Sequence, residues 1–430
     1  MTFISNLPAI VRVGLAFILI LVAIRHKLSL GNSFFLGAVA LSVFFGFGPL
    51  KAMHSMVASI IDPKTLCLAL IVSLILILSN SMQKAGQMTR LLTTFRGLVA
   101  KPGLNLTLFP ALMGLLPMPG GAVFSAPMVK EIGSTSDMSG SHLSFVNYWF
   151  RHIWDAWWPL YPGVLMTAIL SNISLVAYCV LAAPVTLIVI FLGQRSIAGL
   201  QACIPERRSR RTSIRPFLKE IVPILIVIIP GLGSGMILSA ALPSWAIAKE
   251  SGLILSLGAA IIWVWRENRF DLRQIRAVML DRHLLQMFYM IAAIWMFKGI
   301  LTDTRAVDGI SRELLGLHIP LFCIVVSLTF LVGMVTGINI AFVGGAFPIL
   351  IPMIQAAGEM NYMAAYMVLA MVCGCAGVML SPLHLCMLLS NNYFHASQGS
   401  FYRQLWLPCT GLVAFGMIYF WGLHWGLGRL

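Results

Sequence analysis

The chain is poor in charge, and poorest in negative charge. Of 430 residues only 10% are charged, and 14 acids face 29 Lys and Arg, a formal net charge of +15. A soluble domain carries about 25% charged residues, which excludes a water-soluble protein. The basic balance does not point to nucleic acid either. The Lys and Arg lie in short segments between apolar runs, where they set topology and meet anionic headgroups, and no aromatic-studded basic face accompanies them. Three chemical signatures are also missing: a Gly-x-x-x-x-Gly-Lys phosphate loop, a Gly-x-Ser-x-Gly elbow and a His-Glu-x-x-His zinc helix. Without the first, this chain by itself is no nucleotide-driven pump. Without the others, an enzyme is a lesser alternative that would have to use His152 and Asp155 as an acid–base pair. Residues 1–11 lack Lys and Arg, so no cleavable signal peptide is expected. The eight cysteines mostly sit inside apolar runs, where Cys behaves as a small hydrophobe. Cys373-Gly-Cys375 lacks metal-ligand spacing, and neither a metal site nor a disulfide is read from it.

What is abundant is apolar sequence, 59% of the chain, with a mean hydropathy of +0.91. A helix needs about 20 apolar residues to cross a bilayer, and the runs predict an all-α polytopic membrane protein. The first half reads as spans at 8–24, 33–50 and 65–82, a hairpin at 104–131, a broken span at 143–169 and a span at 173–193. The second half repeats that order: 217–240, 252–266, 284–301, a hairpin at 319–352, a broken span at 363–390 and a span at 404–424. Five crossings and one hairpin per half is an odd number, so the second half must be inverted. The expectation is therefore two inverted-topology repeats, each of five transmembrane helices (one broken) and one re-entrant helical hairpin. Residues 1–203 form the first, 204–216 a basic cytoplasmic linker, and 217–430 the second. The Arg and Lys clusters at 25–27, 84–101, 195–219 and 266–282 fall on one side if both termini lie outside. The stretch at 84–101 reads as an interfacial amphipathic helix. Loops 51–64 and 303–313 are weakly charged or mixed in sign.

Helix breakers mark the candidate site. Leu115-Leu-Pro-Met-Pro-Gly-Gly121 forms one hairpin tip, and Thr336-Gly-Ile-Asn339 with Gly344-Gly345 the other. Trp158-Pro-Leu-Tyr-Pro162 and Ser381-Pro-Leu-His384 interrupt the broken spans. Broken backbone survives at membrane depth only where it is buried in protein or lines a cavity, and paired breaks in two halves point to a transporter's binding site. Pro119, Gly120, Gly121 and Ser125 are candidates at the first tip, with Thr336, Gly337 and Asn339 at the second. Uncharged oxygens at the second tip suit Na⁺ near Thr336 and Asn339; close helix packing is the competing role for the small residues. Arg151 and Asp155 are four apart and would share a helix face. They form either a structural pair or a coupling carboxylate with an anion-binding guanidinium, joined by His152. Arg151 near the interface would instead snorkel. Ser381 and His384 extend the set, His384 as a titrating group or a hydrogen-bonded structural one. No cofactor is expected beyond Na⁺ or H⁺ as coupling ion.

The run Gly114-Leu-Leu-Pro-Met-Pro-Gly-Gly-Ala-Val-Phe-Ser-Ala-Pro-Met128, with Ser381-Pro-Leu-His-Leu-Cys386, resembles the prokaryotic membrane family known as domain of unknown function 401. More broadly it resembles the ion transporter superfamily of dicarboxylate, citrate, gluconate and arsenite carriers. The resemblance implies a two-repeat secondary transporter in the cytoplasmic membrane of a prokaryote. Such carriers are often dimeric and often move the substrate-holding part like an elevator. The better-studied branches carry a Ser-Asn-Thr type tip, which this chain replaces. The function expected is cation-coupled movement of a small anionic organic solute, with an ion channel as a further alternative. The partners expected are that solute, the lipid bilayer and a second copy of the chain.

Overall fold

The computed structural model describes residues 7–96, 98–99, 102–118, 120–133, 138–201, 213–242, 244–245, 247–316 and 319–428. The core of the 204–216 linker and Pro119 lie outside them. Every regular element described is a helix. Among the described residues eight helices are long and apolar enough to cross a bilayer. The protein is a helical membrane protein.

Proline and short polar residues start most of the helices where the apolar pattern places them. In the first half, α1 (Ala9–Arg25) follows Pro8, α2 (Leu30–Phe44) is capped by Ser29, and α3 is Pro49–Ile61. α4 (Pro63–Lys84) has Pro63 at its first position, and the Asp62 carboxylate accepts the Thr65 N–H at 3.0 Å. Next come α5 (Gln87–Arg96), the first hairpin as α6 (Pro102–Gly114) and α7 (Ala122–Gly133), and α8 (Gly140–Trp149). A 3-10 turn at Phe150–His152 and irregular chain then lead to α9 (Pro162–Ser171), α10 (Leu175–Ala182) and α11 (Val185–Gln201). The second half runs α12 (Arg215–Ala241), α13 (Ala248–Glu267), α14 (Leu272–Met279), α15 (Arg282–Asp303) and α16 (Ala306–Gly316). The second hairpin follows as α17 (Leu321–Thr336) and α18 (Asn339–Ala356), then α19 (Met363–Leu380), α20 (Leu385–Tyr393) and α21 (Gln398–Leu427).

Both hairpins and the second break fall where the breakers predict; the first break, expected at Trp158–Pro162, already begins at Phe150. The other differences lie in the connections. Loop 51–64 is mostly the helix α3, and loop 303–313 is mostly α16. At 13 and 11 residues both are too short to register as spans. The Glu313 carboxylate of α16 accepts the Ala9 and Ile10 N–H groups at 2.6 and 2.8 Å, so an acid assigned to a loop caps the positive end of α1. The stretch at 84–101 does form an amphipathic helix, α5, burying Met88, Leu91 and Leu92.

Two groups of helices pack among themselves. α1–α4 lie with α12, α13 and α15, while the hairpins, the broken spans, α10, α11 and α21 form the other. Each group draws on both halves of the sequence, which interleave in space. α19 is buried almost throughout, whereas α12 and α21 keep long apolar faces exposed at Ile229, Ile237, Leu407, Ile418 and Trp421. Those faces suit lipid.

Candidate functional site

A helix end leaves four carbonyls without an intrahelical partner, and in an apolar medium each must be met or paid for. α6 ends at Gly114 in the middle of the molecule, and all four carbonyls find donors. Trp154 Nε1 donates to Ala111 O at 2.7 Å, the Leu115 N–H to Leu112 O at 3.2 Å, Arg151 to Met113 O at 3.2 Å, and the Tyr161 hydroxyl to Gly114 O at 2.8 Å. Past the helix, Trp158 Nε1 donates to Leu115 O at 2.9 Å and Arg151 to Met118 O at 2.7 Å. The first break therefore holds the first hairpin tip. Its own irregular backbone is met in turn: Thr186 donates to Ile153 O, Tyr178 to Ala156 O and Cys179 to Trp157 O. The crowded tryptophans of this segment are hydrogen-bonded closures of broken helices as well as packing residues.

This geometry corrects the helix face that Arg151 and Asp155 were expected to share. Residues 150–152 form a 3-10 turn and 153–157 are turns, so the four-residue spacing does not align the two side chains on an α-helical face. Arg151 is 3% exposed and does not snorkel; its guanidinium is spent on the hairpin carbonyls. Gly121 and Gly114 permit this approach. A Cβ on Gly121 would overlap the Arg151 guanidinium, and one on Gly114 the Arg151 carbonyl. Gly120, at φ +72°, makes the left-handed turn of the tip and faces Leu389 of α20.

Asp155, 4% exposed, meets the second hairpin tip instead. Its Oδ2 accepts from Asn339 Nδ2 at 2.9 Å, while Asp155 Oδ1 and Asn339 Oδ1 are buried without a hydrogen-bond partner among the described residues. Gly163, in the first turn of α9, packs on Asn339. Gly337, at φ +66°, ends α17 and lies against the Ser381 hydroxyl and the His384 N–H. Thr336 Oγ1 donates back to Val332 O at 2.8 Å within its own helix. Gly344 and Gly345, placed with the second tip in the sequence, lie inside α18 and pack on Ile294, Phe17 and Phe34, the close-packing role.

His152 and His384 meet nearly edge-on, ring planes 82° apart, with their Nε2 atoms 3.2 Å apart. His152 Nδ1 is 2.6 Å from Tyr148 O; a carbonyl only accepts, so Nδ1 carries the hydrogen. With its nitrogens engaged by Tyr148 and His384, His152 has no hydrogen bond with Asp155. Ser125 belongs to a different network: it donates to Asn147 Oδ1 at 2.6 Å, Asn147 Nδ2 donates to Ser390 at 2.7 Å, and Ser144 donates to Asn391 at 2.6 Å. That ladder ties the first hairpin to α8 and α20. One buried centre thus joins both tips and both breaks, with Arg151 on the first tip and Asp155 on the second.

The family model described as "Protein of unknown function (DUF401)" matches residues 9–421. The chain belongs to this family. No curated protein matches it. Sequence reasoning missed several residues of this DUF401 centre. Tyr148 and Cys386 stand at the centre beside His152 and His384, and Ser144, Asn147 and Ser390 form the ladder next to it. Only the three-residue spacing of Ser144 and Asn147, which puts both on one helix face, was a usable signal.

Proposed function

We propose that the protein is a secondary transporter that moves a small anionic organic solute, coupled to Na⁺ or H⁺, across the cytoplasmic membrane. The observation that carries this reading is the buried Asp155 carboxylate, with one oxygen on Asn339 and the other without a hydrogen-bond partner among the described residues, set in the break of one half against the hairpin tip of the other. A carboxylate at such depth is costly unless an ion, a proton or a partner meets it. The starts of α9, α18 and α20 lack side-chain caps among the described residues, and the positive end of a helix suits an anion. The hairpin-and-break order, present twice, is the kind used by carriers with inverted repeats, and the likeness to the ion transporter superfamily points the same way. Orientation has support too. Arg90 bonds Glu220 and Asn268, and Lys219 pairs with Glu267, so three basic segments meet at one end. We take that end as cytoplasmic, with both termini outside and the functional unit a homodimer. An enzyme reading would have to place its acid and base apart, since His152 hydrogen-bonds Tyr148 and His384 rather than Asp155.

The test starts with thermal-shift screening of the purified protein against organic acids and inorganic oxyanions, with and without Na⁺. The stabilising solute then goes into proteoliposome uptake and counterflow. Asp155→Asn keeps an acceptor for Asn339 and removes the charge. The expected variant is folded, exchanges solute, and has lost gradient-driven uptake. Gradient-driven uptake at the wild-type rate would remove Asp155 from coupling, and absence of counterflow with every stabilising solute would sink the transporter reading.

A further inference from the structure

The second break carries a donor set that the transport reading does not use. His384 precedes the first residue of α20 and Cys386 lies in its first turn, and across from them stands His152, on the 3-10 turn of the other half. One ligating atom from each of His152, His384 and Cys386 lies within 4.8 Å of the other two. We propose that these three residues form a binding site for a transition-metal cation of the zinc class, with a fourth coordination position left for a non-protein ligand.

The geometry and chemistry of the donors agree. Tetrahedral zinc with Zn–N bonds of about 2.0–2.1 Å puts two nitrogen ligands about 3.3 Å apart; the two Nε2 atoms stand at 3.2 Å. Because Nδ1 of His152 donates to Tyr148 O, the neutral ring presents its Nε2 lone pair to the centre. A backbone carbonyl behind a ligating imidazole is the usual means of fixing ring orientation and tautomer. The Tyr148 ring lies 4.7 Å from the His152 ring and 5.4 Å from that of His384, walling the trio on one side. Two imidazoles and a thiolate favour zinc or copper over Mg²⁺ or Ca²⁺. The charges permit a dication: Arg151 and Asp155 offset each other nearby, and the Cys386 thiolate with one anionic fourth ligand neutralises the metal. The remaining described cysteines, Cys67, Cys179, Cys323, Cys373, Cys375 and Cys409, belong to no such cluster among the described residues.

The test uses full-length protein in detergent, stripped by chelator and titrated with Co²⁺, then with Zn²⁺. Wild type is expected to bind one Co²⁺ per chain with a thiolate-to-cobalt charge-transfer band that Zn²⁺ abolishes. Zn²⁺ is also expected to raise the unfolding temperature. Cys386→Ser should lose the charge-transfer band, and His384→Gln and His152→Gln should each weaken Zn²⁺ binding about tenfold or more. Cys375→Ser, a buried cysteine outside the trio, should behave as wild type. Each variant's own unfolding transition reports whether it is folded, and three separate ligand variants keep the test open if one fails to fold. Substoichiometric binding by wild type, or wild-type affinity and band in any folded ligand variant, overturns the site. The readout is metal binding, so it stands or falls apart from the transport reading.

Discussion

Arg151 is the side chain on which the first hairpin tip hangs. One guanidinium reaches two carbonyls five residues apart, Met113 and Met118, as a planar fork can and a point-like ammonium cannot. Arg151→Lys is therefore expected to leave one carbonyl unmet and destabilise the protein by about 1–3 kcal/mol, read as a lowered unfolding temperature in detergent. Gly114→Ala is expected to be worse, because the new methyl meets the fixed Arg151 carbonyl rather than a movable side-chain end. An unchanged melting temperature in either variant would show that the tip is held some other way. The same residue marks the limit of reading from sequence. Depth in an apolar run identified Asp155 as costly, and left Arg151 either beside it or at the interface. Their partners, two backbone carbonyls for one and Asn339 for the other, depended on a turn whose non-helical geometry the spacing did not reveal.

Among elements, the breaks are legible because Pro and Gly act locally, and what completes them is not, because it arrives from elsewhere in the chain. Pro117 and Pro382 follow closely on the ends of α6 and α19, and Pro162 opens α9. The donors that satisfy the stopped ends come from Trp154, Trp158 and Tyr161 for α6, and from Tyr148 and Tyr402 for Met379 and Leu380 at the end of α19. Trp158→Phe and Tyr161→Phe each strip one donor while keeping an aromatic ring. Each is expected to cost about 1–3 kcal/mol, and the pair should depart from additivity because both serve the same helix end. Hydrogen exchange at residues 112–118 measures the local loosening. A second prediction concerns α17 and α19, which cross so closely that a Cβ on Gly377 would strike the Phe330 carbonyl, and one on Gly333 the Gly374 carbonyl. Gly377→Ala is expected to force the two helices apart and lower expression of folded protein, seen by size-exclusion chromatography; a monodisperse, wild-type-like yield would count against that crossing.

Over the whole molecule, the two halves of the sequence are not two bodies. α4 of the first half packs on α13 and α15 of the second, and α9 packs on α18. A fragment ending at residue 201 would leave those apolar faces without their partners. It is expected to aggregate or be degraded when expressed alone, and to be rescued by co-expression of residues 213–430. A stable, folded fragment would contradict the interleaving. The span order was readable because a bilayer imposes length and apolarity on each segment. The grouping of helices was not, since hydropathy carries no information on which helix neighbours which. The short helices α3 and α16 escaped for want of length.

One consequence follows from the glycines inside α18. Gly344 and Gly345 lie on the boundary between the two groups of helices, against Ile294 on one side and the rings of Phe17 and Phe34 on the other. With no side chain of its own there, α18 presents a smooth rail to its neighbours. Under the transport reading, one group gliding past the other would drag no methyl across those rings, so the seam offers little friction. Bulk added at Gly345 should act as a brake, slowing turnover while leaving solute affinity as it was.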